Sequence, residues 1–156
     1  MSTRPSPACE LAVGVHDRLI AIARAALPNE ACGLLAGPAR TDADTSVVVE
    51  AVWPVANALR SPHRFALDGA GMLEAEDRIE AAGQTVIGVF HSHPTSQAVP
   101  SATDRADAQR WDPHHRFVHA LVSMQGFVPT IRIWRLHGTD AGDMVELHIV
   151  AGDTSA

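Results

Sequence analysis

Two cysteines, Cys9 and Cys32, are too few among 156 residues for a disulfide-stapled scaffold, and a reducing compartment keeps both as thiols. Long apolar runs are also missing. Stretches such as residues 31–36 and 86–90 fall far short of the roughly 18 to 20 residues a membrane span requires, which excludes a membrane protein of the helical kind. Residues 1–10 carry one arginine and two prolines but no apolar core leading to a cleavage site, so no signal peptide is read and a cytoplasmic location is expected. Basic charge is in deficit. Twelve Lys+Arg against eighteen Asp+Glu leave a formal charge of -6, the wrong sign for a partner made of nucleic acid or an anionic lipid surface. Neither GxGxxG nor GxxxxGK[ST] occurs, which removes those routes to nucleotide binding, and there are no internal repeats or low-complexity segments.

What remains is a globular composition, 46% hydrophobic and 19% charged, in a chain long enough for one core of roughly 100 to 200 residues. The expected organisation is a flexible leader over residues 1–14, a single domain over 15–150 and a short tail over 151–156. Leu19, Ile22, Ala23, Ala26 and Leu27 recur with helical spacing, and Pro28 closes that helix. Residues 31–36 read as a strand buried on both faces, 40–45 as a polar turn and 46–55 as one Val-rich strand. Residues 57–64 read as loop. Asp68 caps a helix to about Ala82 with Met72, Ile79 and Ala82 inward, and Gly83 stops it. Residues 85–90 form a central strand ending at His91, and 92–100 form a loop. Ser101 to Asp104 is a capping box opening a third helix toward Trp111. Residues 117–123, 130–136 and 145–150 give three further strands. Because these follow one another with short connections, the fold class expected is α/β with a mixed central sheet flanked by helices.

Nine histidines are the compositional oddity, and two of them, His91 and His93, stand two apart at the end of an apolar strand. Side chains two apart in an extended chain share a face, so both imidazoles can reach one ion. Asp104 follows in the first turn of its helix, on one face with Ala108 and Trp111, and a carboxylate facing burial needs a partner such as a cation. Two His and one carboxylate leave a fourth tetrahedral position open, the pattern of catalytic zinc. Glu30 is the one carboxylate at the mouth of an apolar strand and is the candidate proton shuttle. Ser101, three residues before Asp104, can donate to an oxyanion.

The string His91-Ser92-His93, seven residues, Ser101, two residues and Asp104 resembles the JAMM/MPN+ metalloprotease motif HxH(x)7SxxD, with Glu30 in the place of the upstream glutamate. Residues 29–37, Ser61-Pro62 before Phe65 and Val99-Pro100-Ser101 are similar to its short bacterial branch, the CysO-cysteine peptidase type. That resemblance implies a cytidine-deaminase-like fold with one Zn2+ per chain held by His91, His93 and Asp104. It makes Glu30 the general acid/base and Ser101 the stabiliser of the tetrahedral intermediate. It also implies cleavage after the C-terminal Gly-Gly of a small ubiquitin-like sulfur-carrier protein, with release of cysteine in a cysteine biosynthesis route. Two alternatives share the fold: an isopeptidase that frees such a modifier from lysine, and a non-catalytic MPN binding scaffold. A deaminase would need a PCxxC zinc pair, which is absent.

The remaining candidates have plainer readings. Cys32 is expected to be a small buried hydrophobe rather than a nucleophile or ligand. His114-His115 beside Asp112 reads as an exposed polar stretch, and His16, His63, His119, His137 and His148 carry no assigned role. Trp53, Trp111 and Trp134 are expected in core or edge packing.

Overall fold

The computed structural model describes residues 8–39, 46–138 and 142–152. Eight strands and three helices follow in the order β1 (Ala8–Leu11), α1 (Val15–Ala26), β2 (Cys32–Gly37), β3 (Ser46–Val49), β4 (Ala51–Val55), α2 (Gly69–Ala81), β5 (Thr85–His93), α3 (Ala102–Trp111), β6 (Val118–Ser123), β7 (Thr130–Leu136) and β8 (Met144–Ala151). The strands form one mixed sheet in the order β3-β1-β8-β7-β6-β5-β2-β4. Helices cover both of its faces, which is the expected class.

Periodicity decides which face is which. Val15, Leu19 and Ala23 of α1 pack with Leu35, Phe90, Ala120, Val122 and Ile133 on one side of the sheet. On the other side Ala75 and Ile79 of α2 pack with Leu34, Ala36 and Val89. Val89 lies opposite Leu34 and His91 opposite Cys32, so His91 and His93 emerge on the side of α2. The parallel pair β5 and β6 is bridged by α3, as a parallel crossover requires.

Four expectations change. Residues 8–11, assigned to the leader, form β1 between β3 and β8, because Cys9 and Leu11 fill the core. The Val-rich run 46–55 breaks at Glu50, whose N–H donates to the Ala36 carbonyl at 2.8 Å, and its halves pair at opposite margins of the sheet. Ala82 is exposed, and Ala75 takes the inward place beside Ile79. The central strand continues through Ser92 to His93, which pair with Val122 and Ser123. The polar turn expected at 40–45 lies outside the described residues. Among the described residues, no helix is long and apolar enough to cross a membrane.

Candidate metal centre

His91 and His93 occupy alternate positions of a strand hydrogen-bonded on both sides, so their spacing is rigid rather than a property of a loop. Across the ladder Cys32 faces His91, and Ser92 N–H donates to the Ala31 carbonyl at 3.0 Å. Ser92 Oγ in turn accepts the Ala31 N–H at 2.7 Å, in full burial. Continued beyond the end of the ladder, that register directs Glu30 toward His93 and Asp104, whose charges its carboxyl feels. Asp104 reaches the site from the first turn of α3, whose N-terminus is held by the capping box: Ser101 Oγ accepts the Asp104 N–H and Asp104 Oδ2 accepts the Ser101 N–H, each at 3.0 Å.

The three side chains converge. His91 Nε2 lies 3.2 Å from His93 Nε2, and Asp104 Oδ2 lies 3.2 Å and 3.0 Å from those two nitrogens. Ligand atoms of a tetrahedral zinc with bonds of roughly 2.0–2.1 Å stand about 3.3 Å apart, so this triangle fits such an ion. The donor chemistry fits as well. His93 Nδ1–H donates to the Gln97 carbonyl at 2.7 Å, the second partner that orients the ring and leaves Nε2 as the nitrogen that can ligate. Burial holds the His91 imidazole below its usual pKa, against the pull of Asp104, and so favours the neutral ring that can ligate. Burial acts on His93 in the same direction, but the hydrogen bonds to Asp104 and Gln97 outweigh it and raise its pKa. For Asp104 burial raises the pKa, yet His91 and His93 together hold the carboxyl well below the usual carboxylate range.

Glu30 is buried, and its Oε1 has no hydrogen-bond partner among the described residues. Burial pushes its carboxyl up to about 7, with His93 opposing and Asp104 adding to the rise. Ser101 is exposed at the helix start; its oxygen accepts in the cap, so its own O–H is left to donate outward. Cys32 lies beside Glu30 but is a thiol, pushed up to about 12 by burial and donating to the Val55 carbonyl at 3.4 Å.

Next to His91 and Asp104 opens a cavity of about 520 Å³ between α2, α3 and the loop over residues 57–67. Its walls are largely apolar, with Leu59, Leu67, Met72, Trp111 and Leu121 among them. Phe65 projects from the loop and stacks on the His91 ring, centroids 4.4 Å apart and planes 21° apart.

The structure brings His91, His93 and Asp104 together, with Ser101 bonded to Asp104 and Glu30 nearby, and it adds residues that hold them. Ser92, Gln97 and Asn57 carried no signal beyond being polar within or beside apolar segments. Trp134 is more than packing: its Nε1–H donates to the Ala98 carbonyl at 3.1 Å, and Ser123 Oγ–H donates to the Ser96 carbonyl at 2.6 Å, which anchors residues 94–101 beside the site. His114 is exposed as expected, whereas Asp112 is buried and accepts the N–H groups of Arg116 and Phe117 at 2.7 and 3.1 Å.

Residues 12–137 match the family described as prokaryotic homologs of the JAB domain. Among curated proteins the chain is 36% identical over 102 residues to the CysO-cysteine peptidase of Mycobacterium tuberculosis, covering 65% of this chain and 66% of that one. It is 39% identical over 103 residues to the desampylase of Haloferax volcanii, covering 63% and 70%. A solution structure of a protein from Desulfitobacterium hafniense superposes with a TM-score of 0.76 at 31% identity, covering 93% of each chain. The chain thus spans just under two thirds of the CysO-cysteine peptidase it matches.

Proposed function

The chain belongs to the prokaryotic JAB-domain family, and from that premise we propose that it is a zinc-dependent peptidase that hydrolyses the bond after the C-terminal Gly-Gly of a ubiquitin-like sulfur-carrier protein, releasing cysteine. The observation that carries this reading is the triangle of His91 Nε2, His93 Nε2 and Asp104 Oδ2 at 3.0–3.2 Å, with the buried, unpartnered Glu30 Oε1 beside it.

Zinc held by those three residues would supply Lewis acidity, polarising the scissile carbonyl and making water a nucleophile near neutral pH. Glu30, with a carboxyl near the middle of the physiological range, takes a proton from the attacking water and returns it to the departing amine. Ser101 directs its O–H at the carbonyl oxygen as negative charge builds there. His93 keeps its ligating nitrogen bare by donating its other N–H to Gln97. The adjoining apolar cavity would receive a side chain of the carrier's tail upstream of the glycines.

The similarity to the desampylase favours one second reading, an isopeptidase acting on a lysine linked to a ubiquitin-like modifier. The two differ only beyond the scissile bond. Zinc content is measured first, with one equivalent per chain expected. A recombinant ubiquitin-like carrier ending in Gly-Gly is then offered as its cysteine adduct and as its lysine adduct, and products are followed by mass spectrometry. Faster release of cysteine supports the first reading and faster release of lysine the second. Cleavage of neither by the zinc-loaded protein leaves a binding scaffold.

A further inference from the structure

The backbone of Glu30 is gripped from both sides by one loop. Glu30 N–H donates to the Ser61 carbonyl at 2.9 Å, and the Glu30 carbonyl accepts from Asn57 Nδ2 at 3.2 Å. The same Asn57 amide donates to the Arg64 carbonyl at 3.1 Å, while its Oδ1 accepts the N–H groups of Leu59 at 3.0 Å and Ala66 at 3.1 Å. All four hydrogen-bonding positions of the side chain are therefore used. Three of them close the loop on itself, where the Asn57–Leu67 bridge and the Ala58 N–H to the Ala66 carbonyl join its ends. The fourth leaves the loop for the residue that carries the unpartnered carboxyl. This loop also presents Phe65 to the face of His91.

We propose that Asn57 is a positioning residue for Glu30, locking the strand mouth that bears the general base to the loop that forms the cavity wall. The inference rests on the peptidase reading. Among the described residues Asn57 hydrogen-bonds neither the ligand triangle nor the Glu30 carboxyl; it acts through the main chain of residue 30. Without it, residue 30 keeps only the Ser61 contact with that loop, and the carboxyl departs from its place near His93 and Asp104. Displacing a reacting group by about 1 Å costs up to roughly a hundredfold in rate, and the cost falls on turnover rather than on binding.

Asn57→Asp retains the acceptor for Leu59 and Ala66 but turns an oxygen toward the carbonyls of Glu30 and Arg64. Asn57→Ser is uncharged and too short to reach residue 30. Both are assayed with the cysteine and lysine adducts of the recombinant carrier, alongside zinc content and hydrogen exchange at the Glu30 amide. The expected result is one zinc per chain, faster exchange at residue 30 and kcat lowered about tenfold to a hundredfold, with KM within about threefold. Added to Glu30→Gln, either change lowers single-turnover cleavage no further, because the group being positioned is already gone. An inactive wild type overturns the peptidase reading and this role with it. An active wild type overturns Asn57 alone under any of three outcomes: kcat unchanged in the variants, a change confined to KM, or full additivity with Glu30→Gln. Loss of zinc or fold in both variants also overturns it, since Asn57 would then serve only the scaffold.

Discussion

Glu30 is held where its charge is disfavoured, and the consequences separate stability from turnover. Unfolded, its carboxyl titrates near 4.5; folded and without zinc it titrates at about 7 because of burial. Between those values the folded chain binds the proton more tightly, so this group's contribution to stability is complete below pH 4.5 and is lost as pH rises through 7. Replacing it by glutamine should raise the melting temperature of zinc-free protein at pH 8, by up to about 3 kcal/mol in stability, and change little at pH 4. Equal melting curves at pH 8 would contradict the buried placement. The same Glu30→Gln change should leave zinc content intact and lower peptidase activity about a hundredfold to ten-thousandfold, measured on the carrier adducts. Cys32, protonated and buried one pleat away, should resist iodoacetamide at pH 8 in the native protein, and Cys32→Ala should keep activity within about threefold. Rapid alkylation with loss of activity would show a thiol far more open than this one. The histidine pair and Asp104 stand out in the sequence because spacing of two on a strand and a capping box are local rules, and Glu30 because it is the one carboxylate at the mouth of an apolar strand. Asn57 and Phe65 do not, since their partners lie 27 and 26 residues away and meet only once the loop has closed.

At the scale of elements, α3 buries little of itself against the rest of the molecule. Ala108 is its one buried residue among those described. Other ties are Asp104 at the triangle, the Arg64–Asp107 ion pair at 3.7 Å and Trp111 against Phe117. A metal gripping Asp104 from this helix and two imidazoles from β5 would join helix to sheet, and binding free energy would appear as stability of that junction. Removal of zinc with a chelator should therefore increase hydrogen exchange in residues 102–111 well before α1, whose Leu19 and Ala23 are fully packed. Uniform exchange along the chain after chelation would refute this. Where β5 meets the residue before β2, Ser92→Ala leaves the buried Ala31 N–H without its acceptor and should cost about 1–3 kcal/mol, read by denaturant unfolding. Element types were largely recoverable from periodicity, and boundaries less so. The strand through His93 looked like a loop from Ser92 onward because Ser, His, Pro and Thr carry no apolar alternation; the ladder to β6 overrides that composition.

For the whole molecule, the break at Glu50 has the widest effect. The sequence reads as one continuous Val-rich strand, and nothing local signals that its halves separate, because β3 and β4 find their different partners, β1 and β2, only in the assembled sheet. β1 was overlooked for a similar reason: four residues become a strand only between two partners supplied from positions 46–49 and 144–151. A polypeptide that lines both borders of its own sheet ties their fates together. Neither rim can peel while the other stays seated, so melting should proceed in one calorimetric step rather than two, and a cut beside residue 50 should loosen both sides at once.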